Sequence, residues 1–206
     1  MPNSYDFFKA EIKDWIIQHV PKHKRILDVG PGVGTYSTLL RSHGYRMDAV
    51  EIFAPYIEKY DLINKYDNVF VGDICKFDFK DYDFIILGDV LEHLHKEDAI
   101  DLYNRMYQQR KEFLVAVPWL MEQGEHEGNI YETHHQPDLT PEILKQRYPQ
   151  LQPTFENAYY GYYHYLLPKF DKAYVLYANS EYYDTVLAEL LSTSFIIDGL
   201  CINSLY

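Results

Sequence analysis

Cysteine is nearly absent. Cys75 and Cys201 are the two thiols in a chain of 206 residues, too few for a disulfide framework and without the paired spacing of a metal-binding motif. No run of about eighteen apolar residues occurs, the length a membrane-spanning helix needs, and Met1-Pro2-Asn3-Ser4-Tyr5-Asp6 lacks the basic-then-apolar pattern of a secretory leader. The expectation is a cytoplasmic chain with reduced thiols and no membrane partner. Basic residues are also scarce, 19 Lys and Arg against 31 Asp and Glu, for a formal net charge of −12. Nucleic-acid affinity rests largely on Lys and Arg neutralising phosphates, so nucleic acid is disfavoured as a partner.

The remaining composition is that of a folded chain, with 47% hydrophobic and 24% charged residues, and the length suits one domain with additions. Phe8, Ile12, Trp15, Ile16 and Val20 recur at helical spacing behind a potential cap at Ser4. Ile26-Leu27-Asp28-Val29 then reads as a buried parallel strand. Strand and helix alternate from there, with a helix over 35–43 closed by Gly44, a strand over 46–52, a helix over 55–65 and a strand at 69–71. A strand at 84–87, a helix over about 97–110 and a strand at 113–117 follow. Such alternation predicts an α/β fold with an open parallel sheet covered on both faces and ligands at the carboxyl ends of its strands. Residues 119–139 show no periodicity and read as a lid. Thr140-Pro141 opens a further helix, and segments 158–167 and 172–178 read as two β strands pairing antiparallel at one edge.

The segment Asp28-Val29-Gly30-Pro31-Gly32-Val33-Gly34 carries chemistry. Glycines let backbone turn tightly and approach a ligand, and the next helix offers unpaired N–H groups. Thr35 stands where a dinucleotide fingerprint would place its third glycine, which argues against NAD.

This tighter spacing behind an acidic strand residue resembles the class I S-adenosylmethionine-dependent methyltransferase family, over roughly residues 25–178. The resemblance implies a three-layer Rossmann-like fold with a mostly parallel seven-stranded sheet and an antiparallel edge strand. It implies S-adenosylmethionine as cofactor, held by Asp28, Gly30, Gly32, Gly34, Tyr36, Glu51, Ile52, Asp73, Ile74 and Asp89. Within that set Glu51 would accept hydrogen bonds from the ribose hydroxyls, Asp73 would lie near the adenine amino group, Ile74 would flank the ring, and Asp89 would occupy the fourth motif. Residues 1–179 would form the methyltransferase domain, with the lid at 119–139, and residues 180–206 an extension packing on the domain or forming an interface, in a monomer or homodimer.

Oxygen acceptors need a base, and five of the nine histidines fall in the fourth motif or the lid; His93, His126 and His134 are the candidate catalytic residues. Asp89, Glu92 and His93, joined by His134 or Glu125, can also gather ligands for a divalent cation. That reading is the less favoured, because polar residues are expected at such a turn, and no residue is assigned as a metal ligand. The tyrosine-rich stretch 159–165 suits a substrate wall or sheet-edge packing. The expected function is methyl transfer to a small molecule, at oxygen in preference to nitrogen. The alternatives are a non-catalytic partner-binding subunit or, further off, an RNA methyltransferase.

Overall fold

The computed structural model describes residues 6–168. Seven strands form one sheet: β1 (Arg25–Val29), β2 (Arg46–Glu51), β3 (Val69–Val71), β4 (Phe84–Gly88), β5 (Glu112–Pro118), β6 (Gln152–Glu156) and β7 (Tyr160–Tyr165). Their order is β3-β2-β1-β4-β5-β7-β6. The first five run parallel, whereas β7 pairs antiparallel with both β5 and β6. The helices are α1 (Lys9–His19), α2 (Thr35–Leu40), α3 (Pro55–Lys59), α4 (Leu62–Lys65), α5 (Lys96–Gln108) and α6 (Pro141–Arg147).

Alternation along the central strands builds two cores. Ile26, Phe84, Ile86, Leu114 and Ala116 point to one face, where they meet Ile12 and Ile16 of α1 and Leu40 of α2. Leu27, Ile85, Leu87, Phe113, Val115 and Val117 point to the other, against Ala99, Leu102 and Met106 of α5 and Leu144 of α6. A central strand covered on both faces must be apolar throughout, which is why β4 and β5 are buried along their whole length. The expected mostly parallel, three-layer sheet is the one observed.

Several details differ from the sequence reading. The helix expected over 55–65 is broken at Asp61, which adopts φ 53° and separates α3 from α4. Arg41–His43 tighten into a 3₁₀ turn ending on Gly44 at φ 86°. The strand expected at 158–167 is β7, but its partners are β5 and the unforeseen β6. The segment 172–178, like Ser4 and the extension 180–206, lies outside the described residues. No described helix is long and apolar enough to cross a membrane.

Two glycines admit aromatic rings into the sheet. A Cβ on Gly161 would stand 2.3 Å from Trp119 Cζ2, and one on Gly88 would stand 2.4 Å from Tyr36 Cε2. Both separations are far below van der Waals contact, so a methyl group would force rings in a packed core to move. Gly161→Ala is expected to cost roughly 1–3 kcal/mol in urea denaturation and to shift the Trp119 emission, with the far-ultraviolet dichroism unchanged.

Candidate functional site

Parallel strands that end side by side leave a crevice where the connections diverge to opposite sides. In this sheet the divergence falls between β1 and β4, the two neighbours at its centre. The cavity there is lined by Asp28 and the following Gly30, Pro31 and Gly32, by Glu51 and Ile52 after β2, by Asp73 and Ile74 after β3, and by Gly88, Asp89, Val90 and His93 after β4. Asn129, Tyr131 and Glu132 from the 119–139 segment complete it.

Gly30 and Gly32 form the tight turn after β1. Gly30 has φ 56° and Gly32 φ 52°, conformations that side chains make costly, and a Cβ on Gly30 would crowd Val90 Cγ2 at 3.3 Å. The Gly30 N–H donates to the Val50 carbonyl at 2.9 Å, which ties the loop to β2. Gly34 has a different task. It begins α2 at φ 81°, and a Cβ added there would stand 2.8 Å from Lys65 Cδ, so it packs against α4 and does not line the cavity.

Two of the four acids are buried and two are half-buried. Asp28 is 1% and Glu51 4% exposed, and burial, which penalises the ionised form, raises both carboxyls to about 7. The Tyr66 hydroxyl donates to Asp28 Oδ2 at 2.5 Å, and the Phe53 N–H to Glu51 Oε1 at 2.8 Å. Each carboxyl thus keeps acceptor capacity for a ligand. Asp73 takes the Cys75 N–H at 2.9 Å and lies 3.2 Å from Lys76 Nζ. Asp89 has φ 56° and an N–H bonded to the Ala116 carbonyl at 2.9 Å, which anchors this left-handed turn to β5. Tyr36 stands against Gly88 and lines the cavity from α2.

Of the three histidines, His93 and His134 come together and His126 stands apart. His93 borders the cavity, and burial together with the nearby His134 lowers its imidazole to about 4. That makes it a weak proton acceptor at neutral pH. His134 lies behind it, ring centroids 4.6 Å apart, and also borders a surface depression with Glu122, Gln123, Gly124 and Pro137. His126 is outside the cavity, paired with Asn129 in a short bridge and 3.9 Å from Glu127. One ligand atom from each of Glu92, His93 and His134 lies within 4.8 Å of the others, a set able to hold a metal ion; Asp89 and Glu125 are not in it.

The 119–139 segment is tied down more firmly than its sequence implies. His135 and Gln136 donate their N–H groups to the Glu92 carbonyl at 2.8 and 3.1 Å. The Gln136 amide, 2% exposed, donates to the Leu91 carbonyl at 2.7 Å and accepts from Arg147 at 2.8 Å. The sequence reading does not single out the cavity-lining Asn129, Tyr131 and Glu132. Asn129 caps the 3₁₀ turn Ile130–Glu132 by accepting from the Tyr131 N–H at 3.0 Å, and an Asn at the head of such a turn is the one local signal of it.

Residues 7–114 match a family described as methyltransferase domain, just over half of the chain. No curated protein matches the sequence. Among solved structures, the PH0226 protein of Pyrococcus horikoshii OT3 is similar at TM-score 0.59 and 16% identity, over 80% of this chain and 92% of that one. The CcbJ methyltransferase of Streptomyces caelestis aligns at TM-score 0.57 and 15% identity, over 77% of this chain and 89% of its own. The Burkholderia thailandensis 1,6-didemethyltoxoflavin-N1-methyltransferase, solved with 1,6-didemethyltoxoflavin and S-adenosylhomocysteine, aligns at TM-score 0.53 and 15% identity, over 77% of this chain and 76% of that one. With the family match over half its length and the sheet order described above, the chain belongs to the methyltransferase domain family as a class I, S-adenosylmethionine-dependent methyltransferase.

Proposed function

We propose that the chain transfers a methyl group from S-adenosylmethionine to an oxygen atom of a small polar acceptor, without nucleic acid as substrate. The observation that carries this reading is the pairing of a side-chain-free glycine floor, Gly30 and Gly32, with the carboxyl wall of Asp28, Glu51, Asp73 and Asp89. An acidic wall suits a ligand bearing a sulfonium and an ammonium, and it opposes phosphate-rich ligands.

S-adenosylmethionine supplies a methyl group on a positively charged sulfur. Glu51 would accept the ribose hydroxyls with the capacity that Phe53 leaves free, Ile52 and Ile74 would cover the adenine, and Asp73 would lie at its amino edge. Asp28 and Asp89 would hold the cationic end. When bound, the cofactor would give that methyl to the acceptor oxygen, with the carbon–sulfur pair returning to sulfur, and the acceptor's proton would leave on the side of Asp89 and Glu132. The protein's share is alignment and exclusion of water. Asn129, Tyr131 and Glu132 hold the 119–139 segment over the site as the lid that favours a small acceptor. An oxygen acceptor is preferred because the carboxyls of Asp89 and Glu132 line the side on which its proton departs.

Calorimetry with S-adenosylmethionine, S-adenosylhomocysteine and NAD tests the reading, which fails if neither adenosyl ligand binds. Glu51→Ala is expected to weaken S-adenosylhomocysteine binding by roughly 1–3 kcal/mol through loss of charge-assisted hydrogen bonds. An unchanged dissociation constant would remove Glu51 from the ribose.

The same carboxyls give the unliganded protein a pH signature. Their folded values of about 7 lie above the ordinary carboxylate range, so the folded state holds more protons than the unfolded chain between those limits. The stability they contribute is complete below the unfolded value and is lost as pH rises through about 7. Buried histidines with lowered imidazoles act in the opposite sense, so the expectation is a difference: from pH 5 to pH 8 the melting temperature of the unliganded protein falls relative to that of Glu51→Gln. An equal fall in both proteins would show that Glu51 is not a source.

A further inference from the structure

We propose that Glu92, His93 and His134 form a divalent-cation site at the edge of the methyl-donor cavity, and that the cation takes the oxygen of the acceptor. The first part stands on geometry alone; the second rests on the assignment of the neighbouring cavity to the methyl donor.

The three side chains come from two segments that the fold clamps together. Glu92 and His93 belong to the 3₁₀ turn after β4, and the Glu92 carbonyl receives the N–H groups of His135 and Gln136, next to His134. Their ligand atoms fall within 4.8 Å of one another. Ligands at about 2.0–2.2 Å from an ion stand roughly 3–3.5 Å apart, so a small inward closure completes the set.

Glu92 is the independent sign of a ligand. It is 1% exposed, and among the described residues no other residue donates a hydrogen bond to either carboxylate oxygen. A buried carboxyl whose one donor is its own backbone N–H is costly unless a proton or a cation neutralises it. The imidazoles are oriented as ligands are. His134 Nδ1 lies 2.9 Å from the Met121 carbonyl, an arrangement that places the proton on Nδ1 and leaves the Nε2 lone pair for an ion. His93 Nδ1 faces the Thr133 carbonyl at 3.4 Å in the same sense.

Two nitrogens and one carboxylate favour a borderline ion such as Zn²⁺, Mn²⁺ or Co²⁺ over Mg²⁺, which prefers oxygen. Three protein ligands leave coordination positions open. His93 borders the donor cavity, whereas His134 borders the surface depression with Gln123 and Gly124, so those positions lie between solvent and the methyl group. An acceptor hydroxyl bound there would become more acidic, as metal-bound water does, and would lose its proton toward Asp89 and Glu132, which line the cavity beside it.

The test uses the full chain, stripped with a chelator and titrated with Co²⁺ and Zn²⁺. Absorption in the visible region reports nitrogen ligation of Co²⁺, and calorimetry reports Zn²⁺ stoichiometry. One ion per chain is expected, with affinity falling at least about tenfold in His134→Ala, and likewise in Glu92→Gln, while both variants keep their dichroism and their S-adenosylhomocysteine affinity. Failure of the wild-type chain to bind either ion, or equal binding by both folded variants, overturns the cation site. Cation binding without any S-adenosylhomocysteine binding would leave the site standing and overturn the assignment of the donor cavity and of the acceptor.

Discussion

Desolvation of carboxyl groups at the carboxyl ends of β1, β2 and β4 is the constraint on which the site depends. Asp28, Glu51 and Glu92 are each less than 5% exposed, and an acid removed from water resists ionisation unless something positive or donating meets it. The fold supplies a little of this internally: the Tyr66 phenol and the nearby Lys9 ammonium for Asp28, and the Phe53 and Ile52 N–H groups for Glu51. It stops short of satisfying them, since full internal pairing would leave nothing for a ligand to gain. At Asp28 and Glu51, which line the cavity, a cationic nucleoside that brings its own donors removes the penalty in one step, so the unliganded site is electrostatically disposed toward such a ligand before any contact is made.

The parts of this arrangement that are legible in the sequence are those where local chemistry and tertiary role coincide. Apolar runs such as Phe84–Leu87 and Phe113–Val117 are buried on both faces, and their pattern leaves little else for them to be. The glycine loop is legible because a tight turn after a strand has few solutions. Thr140, whose hydroxyl accepts the Ile143 N–H at 3.2 Å, is a cap in the structure as in the sequence.

The rest is hidden where tertiary contacts overrule local preference. β6 carries Pro153 and is mostly exposed or half-buried, so neither periodicity nor β propensity marks it; as an edge strand with an irregularity at Pro153 it needs only one partner. Asp61 breaks a helical run because an αL residue there lets α4 swing Lys65 onto Val33, where its ammonium donates to the carbonyl at 2.7 Å. Gly34 reads as part of the cofactor loop, and in the structure it is the place where that packing occurs. The 119–139 segment lacks periodicity because its order comes from buried single contacts, Gln136 and Glu132 among them, each to a different neighbour.

The small residues of the sheet link these two levels. Gly88 ends β4 at the position where a side chain would exclude Tyr36, and Tyr36 in turn walls the cavity beside Asp89. Gly161 does the same for Trp119, the residue from which the 119–139 segment departs, whose N–H is held by the Tyr159 carbonyl at 2.9 Å. Both glycines are in strands, where the absence of a side chain weakens local structure, and in both cases an aromatic ring from a different element fills the space. The cost in strand propensity is thus exchanged for a rigid wall on one side of the cavity and a fixed base for the segment on the other. Because β4 and β7 both pair with β5, the two rings are braced against one strand, and the position of the segment relative to the donor loop follows from the packing of the sheet itself.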